Sequence, residues 1–184
     1  MTQLSYAGIG ARKTPPDILK VMQQTAYLLA RNNLICKTGA ATGADQAYGN
    51  GAVTGGGGLV LALPWANYEQ EWVATLPPSQ VTKIVLNIRT DAAAVQSVHT
   101  YHPTAAELTQ GVFKLHARNY IILMGCTFVI CWTPGGLIDG GTGQGIRIAN
   151  AYKIKVHNLG NPKTLKLFKQ DIVSRFNELP PNLH

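Results

Sequence analysis

Short apolar runs that end in glycine and lead into amphipathic helices recur along this chain, and that alternation constrains its fold more than any other feature. The opening LSYAGIG (4–10) is followed by DILKVMQQTAYLLARNN (17–33), whose residues at 18, 21, 22, 25, 28 and 29, apolar but for Thr25, mark one helical face. LICKTG (34–39) reads as a second strand ending in Gly39, with a helix from about Gly43 to Ala52. GGGGLVLALP supplies a third strand, NYEQEWVATL a short helix and VTKIVLNI a further extended segment. From Pro103 to Met124 the pattern is helical, with Leu108, Val112 and Leu115 on one face. CTFVICWT (126–133) is an unbroken β-rich run, the mark of a strand covered on both sides. GTGQGIRIANAY opens another helix, KIKVHNL returns as a strand, and KTLKLFKQDIVSRF (163–176) closes the chain, with Leu165, Phe168, Ile172 and Phe176 on one stripe. The expectation is one α/β domain over 1–184: a Rossmann-like parallel sheet with helices on both faces. QSVHTYHPTAAE (96–107) is the least regular stretch and reads as a lid-like loop.

Composition removes several classes. With 46% hydrophobic and 14% charged residues over 184 positions, the chain can bury a sizeable core. Its longest apolar stretches fall well short of the roughly 20 residues needed to span a bilayer, so no membrane partner is expected. The opening MTQLSYAGIGARK lacks the basic-then-apolar pattern of a secretory leader. Cys36, Cys126 and Cys131 form an odd set without a CxxC pair, and read as buried free thiols of a cytoplasmic protein. His99, His102 and His116 are too irregularly spaced for a metal site, so no metal and no cofactor are expected.

The formal charge is +7, which favours an anionic partner. It is unevenly placed: residues 1–37 carry +4, residues 38–150 carry −1 and residues 151–184 carry +4. The lysines of the last helix fall on its outer face, where they serve as a solvated surface or a nucleic-acid footprint.

Three glycine-rich turns sit at strand ends: GIGARKT (8–14), TGAATGAD (38–45) and TPGGLIDGGTGQG (133–145). In open α/β sheets, ligands bind outside the carboxyl ends of the strands, where strand order reverses. Glycine lets the backbone approach a ligand, and the helix that follows offers unpaired N–H groups to an anion. Three such turns on one edge predict a crevice for phosphate or a nucleotide. None is a P-loop, since GxxxxGK[ST] is absent, and GxGxR is not the dinucleotide fingerprint. Arg12, Lys13 and Arg118 could equally be solvated or ion-paired, and Asp45 could simply cap its helix.

YAGIGARKTP followed by TGAATGADQAYGNGA resembles the Rossmann-like domain shared by DprA (Smf) and LOG-type proteins, together the SLOG superfamily. Gly39, Gly43 and Asp45 match the second DprA turn, LHARN (115–119) resembles the DprA RN and LOG HERK segments, and TPGGLIDGGTGQGIRIA resembles the LOG PGGxGTxxE motif. The resemblance covers about residues 4–160, and small stand-alone domains of this kind are often phage-encoded. It implies a protein that binds a nucleotide, a signalling nucleotide or a nucleic-acid phosphate, and that assembles as a dimer or higher homo-oligomer. Under it, Gly8, Gly10, Arg12 and Lys13 approach one phosphate. Gly39, Thr42, Gly43 and Asp45 line a second wall, with Asp45 on a ribose hydroxyl or backbone N–H groups. Gly140, Gly141, Thr142 and Gly143 face a second anion, and Arg118 reaches in from the long helix. The LOG branch implies N-glycosidic hydrolysis of nucleoside monophosphates, for which Arg118 and Asp45 are the catalytic candidates. The motif glutamate is replaced by Gly145, and Asp139, Asp45 or Glu107 would have to substitute for it. The DprA branch implies single-stranded DNA binding and recombinase loading, with Trp65, Tyr68, Trp72 and Tyr101 as available aromatics; no winged-helix segment is expected in the short stretch after Gly160.

Overall fold

The computed structural model describes residues 3–184, apart from the Phe176 side chain. All six strands run parallel: β1 (Ser5–Gly10), β2 (Ile35–Thr38), β3 (Leu59–Leu63), β4 (Val81–Val85), β5 (Phe128–Trp132) and β6 (Lys155–Asn158), in the order β4-β3-β2-β1-β5-β6. The chain winds outward from β1 to the β4 edge, then crosses back to lay β5 on the other side of β1. That reversal places the topological switch point between β1 and β5, where Ser5–Gly10 and Phe128–Trp132 run side by side.

Side-chain alternation along the strands divides the core in two. Tyr6, Leu59, Leu61, Leu63 and Ile130 face α1 (Pro16–Arg31), α2 (Ala44–Thr54) and α7 (Pro162–Ser174). Ala7, Ile9, Ala62, Val129 and Cys131 face α5 (Gln110–Leu123) and α6 (Gly140–Ala151). The three cysteines are free and buried. No helix of the described residues is long and apolar enough to cross a membrane.

The first glycine turn owes part of its composition to packing. A Cβ on Gly8 would lie 2.6 Å from Cδ2 of the fully buried Tyr48, so the glycine makes room for α2 to sit on β1. Gly51 of α2 and Gly55 at its C-cap likewise meet the backbone of α1 at Gln23 and Tyr27. α2 is thus pressed against both the sheet and α1, and its N-terminus is held at the edge where the strands end.

Sequence and structure part company between β4 and β5. The stretch read as a lid-like loop is half helical: α4 (Ala92–Tyr101) covers its first six residues. Its inward residues, Ala94, Ser97 and Val98, are small or weakly apolar and give little periodic signal. The helix stops at Tyr101 because His102 precedes Pro103 and adopts an extended backbone. The helix expected from Pro103 begins only at Gln110, where the Thr109 side chain accepts from the Val112 N–H; a single 3-10 turn over Ala105–Glu107 precedes it. Short α3 (Gln70–Thr75) packs Trp72 on Gly49, and the Trp72 indole donates to Asn50 at 3.0 Å. In α7, Ile172 is buried and Leu165 and Phe168 pack on the core; the Phe176 member of the expected stripe lies outside the described residues. Gly51→Ala should therefore cost about 1–3 kcal/mol by overpacking the α1–α2 contact, read as a lower urea midpoint at unchanged slope.

Candidate functional site

A cleft of about 520 Å³ opens at the switch point, over the ends of β1 and β5. Its walls are Gly10, Ala11 and Arg12 after β1, Thr133 and Pro134 after β5, the first turn of α6, and one face of α5. The α6 turn is built for close approach. Gly140 has φ +63°, Asp139 caps the helix by accepting from the Gly140 N–H at 2.7 Å, and Gly143 bonds back to the Asp139 carbonyl. The N–H groups of Gly141 and Thr142 have no helical acceptor and carry the positive end of the helix dipole. The loop before the turn is fixed from behind. The Asn158 side chain accepts from the Thr133 N–H and donates to the Thr133 hydroxyl, while Gly136 stacks on Gly160.

On the opposite side lies a buried ion pair. Arg118 and Asp45 are 6% and 4% exposed, with Nη2 of the arginine 3.5 Å from Oδ2 of the carboxylate. Asp45 also accepts from the Ala41 N–H at 3.1 Å, and Arg118 donates to the Ala62 carbonyl at 3.4 Å. The Arg118 guanidinium lies 5.1 Å from the centroid of the Tyr68 ring, and the Tyr68 hydroxyl accepts from Arg12 at 3.1 Å. Burial pushes the Asp45 carboxyl upward, while the Arg118 charge and backbone N–H groups pull it back. The guanidinium stays charged, because its ordinary value lies far above neutrality. Taken alone the pair is neutral, so the cleft's appeal to an anion comes from the α6 terminus and from exposed Arg12.

The structure gathers Gly10, Arg12, Asp45, Arg118, Gly140, Gly141 and Thr142 around this cleft. The remaining sequence candidates stand outside its lining. Gly8 accommodates Tyr48. Gly39 leaves room for the Arg118 guanidinium, which any Cβ there would strike. Gly43, at φ +95°, passes close to the Arg12 carbonyl. Thr42 is exposed and donates to Glu69 at 3.2 Å, Lys13 is exposed, and Gly143 packs on the Ile138 backbone. These glycines shape the walls without touching the space inside. Arg147 is half-buried and donates to the carbonyls of Tyr101 and Ile138. Gly145 is buried with its α-carbon facing Ile9, so the position where the LOG motif carries its glutamate points into the core. The carboxylates that do line the cleft are Asp45 and Asp139.

The α5 wall was legible in part. Val112, Leu115, His116, Asn119 and Ile122 recur at helical spacing and line the cleft as a stripe, apolar except for His116 and Asn119. His116 is 8% exposed and stands edge-on to His102, with ring centroids 4.4 Å apart. Asn119 donates to the Gly141 carbonyl at 3.2 Å and to the fully buried Gln144 at 2.7 Å. Among the described residues, three buried polar atoms without hydrogen-bond partners belong to this region: His116 Nδ1, Arg118 Nε and Gln144 Nε2. Also among those residues, no group of three or more His, Cys, Asp and Glu could hold a metal ion.

Burial, followed by the neighbouring His102, brings the His116 imidazole down to about 4. The unfolded chain therefore binds a proton below about pH 6.5 that the folded chain refuses, so this group's stability contribution is present above that pH and is lost as pH falls toward 4. The wild-type protein should lose up to about 3 kcal/mol over that window relative to His116→Gln, measured by urea denaturation at a series of pH values.

Solved structures give the fold its setting. DNA processing protein A from Helicobacter pylori, known in a structure that describes its single-stranded DNA binding mode, is 16% identical, with a TM-score of 0.61 over 97% of this chain and 83% of that one. DprA from Streptococcus pneumoniae is 18% identical, with a TM-score of 0.58 over 92% of this chain and 56% of that one. The Moco carrier protein of Chlamydomonas rheinhardtii is 14% identical, with a TM-score of 0.52 over 95% and 87%. The chain thus has a DprA-like Rossmann fold. No protein-family model matches it, and no curated protein matches its sequence.

Proposed function

We propose that the cleft binds a nucleotide unit through its phosphate, either as a free nucleotide or signalling nucleotide or as part of a nucleic-acid strand. The observation that carries this reading is the first turn of α6, whose unpaired Gly141 and Thr142 N–H groups face a cleft that also holds Arg12. The apolar α5 stripe of Val112, Leu115 and Ile122 supplies a wall for a base or another flat, weakly polar group beside the phosphate. Arg118 and Asp45 act as the floor's scaffold. Their charges satisfy each other, which favours binding without turnover over N-glycosidic hydrolysis. Hydrolysis would have to recruit Asp45 away from Arg118 or Asp139 away from its cap.

The DprA structures, one of them describing a single-stranded DNA binding mode, make the strand-bound form a specific variant of this reading. Exposed Arg12 and Lys13 would then continue the phosphate path out of the cleft. Purified protein should be stabilised thermally by nucleoside 5′-monophosphates, by about 2.7 kcal/mol at a hundredfold excess over Kd. Arg12→Ala should weaken that binding roughly tenfold, and no free base should accumulate. Tighter binding to an oligodeoxynucleotide than to the mononucleotide, with a slope of log affinity on log salt steeper than about −0.7, assigns the strand form. Absence of stabilisation by any of these ligands overturns the reading.

A further inference from the structure

His116 is absent from the glycine motifs, yet it occupies the part of the cleft where a phosphate would sit. It projects from the middle of α5 and lies beside the first turn of α6: a Cβ added to Gly141 would be 3.7 Å from its Cε1. Its ring is held on one side by the edge-on contact with His102, and its Nδ1 makes no well-formed hydrogen bond, the Gln144 side chain being the polar group that acts on the ring. The imidazole therefore has a nitrogen without a well-formed bond, in a residue more than nine-tenths buried whose Cε1 edge lies at the first turn of α6. Native proteins rarely leave a buried polar atom unpaired, and the exceptions concentrate where something else completes them.

We propose that His116 is the side chain that reads the ligand: its ring donates a hydrogen bond to the anionic group docked on the first turn of α6, and takes up a proton from solvent as that group arrives. The inference rests on the phosphate-binding reading above and adds the residue and the proton linkage. The charged surroundings set its sign. Arg118 on the same helix, Arg147 on α6 and His102 at the end of α4 all disfavour a positive ring, and burial does so most. The Gln144 side chain favours one, and Glu107 acts on His102 in the same sense. Asp139 at the α6 cap is the carboxylate lining the same part of the cleft. The surrounding protein groups thus hold His116 neutral, and a fixed negative charge placed beside the ring supplies what they withhold. The proton added to the neutral ring leaves both nitrogens as donors, so the anion gains a charge-assisted bond that a neutral ring cannot make.

Titrating the His116 ring by NMR in the whole chain tests this directly, with sodium sulfate as an anion whose charge is fixed over the pH range and sodium chloride at matched ionic strength as reference. The midpoint should rise by one pH unit or more in sulfate and again in adenosine 5′-monophosphate. In calorimetry, His116→Gln should lose roughly tenfold in affinity for adenosine 5′-monophosphate at pH 6 and less at pH 8. If the nucleotide binds the wild-type protein and the variant equally at both pH values, or the His116 midpoint is the same in sulfate and chloride while the nucleotide still binds, this inference falls and the phosphate-binding reading stands. If neither anion binds the wild-type protein, both fall.

Discussion

The buried Arg118–Asp45 pair is the constraint around which the strand-end edge of this protein is arranged. Arg118 comes from α5 on one face of the sheet and Asp45 from the first turn of α2 on the other, so the pair joins the two helical layers across the ends of the strands. Burying two charges is costly, and the cost is met only where the geometry and the remaining hydrogen bonds are good. The surroundings meet that demand in part, since Arg118 Nε is left without a partner. Gly39 has no side chain to obstruct the guanidinium, Ala62 offers a carbonyl, Ala41 offers an N–H, and the Tyr68 ring lies against the cation. Removing either partner would leave the other charge buried and unpaired, which typically costs about 3–5 kcal/mol.

This arrangement changes the meaning of the glycine turns. Each looks like a phosphate loop in sequence, and glycine there serves either of two ends: admitting a ligand or admitting another part of the protein. At Gly8, Gly39 and Gly43 the close neighbour is Tyr48, Arg118 and the Arg12 backbone respectively, so those glycines are consumed by packing. At Gly140 and Gly141 the space next to the α-carbon is open or nearly so, with His116 alone near Gly141. Only the third turn keeps its glycine freedom for the cleft. The distinction depends on what lies across the gap, which is a tertiary fact that no spacing of glycines contains.

The same division explains what the sequence made legible. The strands and the long helices follow from local periodicity: the 18, 21, 22, 25, 28 and 29 pattern of α1 is buried except for half-buried Leu29, and the run of β5 buries its three central residues. α4 gives little periodic signal because Val98 is the one large apolar residue on an inward face otherwise built from Ala94 and Ser97. Arg118 and Asp45 were singled out as ligand-binding residues, and the structure puts them at the cleft but spends their charges on each other. His116 and Asn119 carried a usable signal, the 112, 115, 116, 119, 122 spacing on one face of α5. Reading that face would have placed them beside α6; reading the histidines only as metal ligands did not.

The net charge of +7 also finds a physical place once the pair is seen. Cations at the cleft are few, and one of them is neutralised, so long-range attraction of an anion and its final recognition are separate tasks. The lysines of α7 contribute to the first: Lys163, Lys166 and Lys169 are exposed on its outer face, while its inner stripe packs on the core. Lys169 lies 3.7 Å from Asp17 in an exposed pair, which leaves the outward field of the helix largely intact. On the proposed reading, recognition falls to groups that carry little net charge: two backbone N–H groups at α6, a neutral imidazole, and one exposed arginine held by Tyr68. Under the proposal, such a site gains most of its electrostatic favour as the anion arrives, through an aligned helix end and a ring that takes up a proton. A cleft lined with permanent cations would hold any anion, whereas one built this way would favour an anion that fits the turn closely enough to reach the ring.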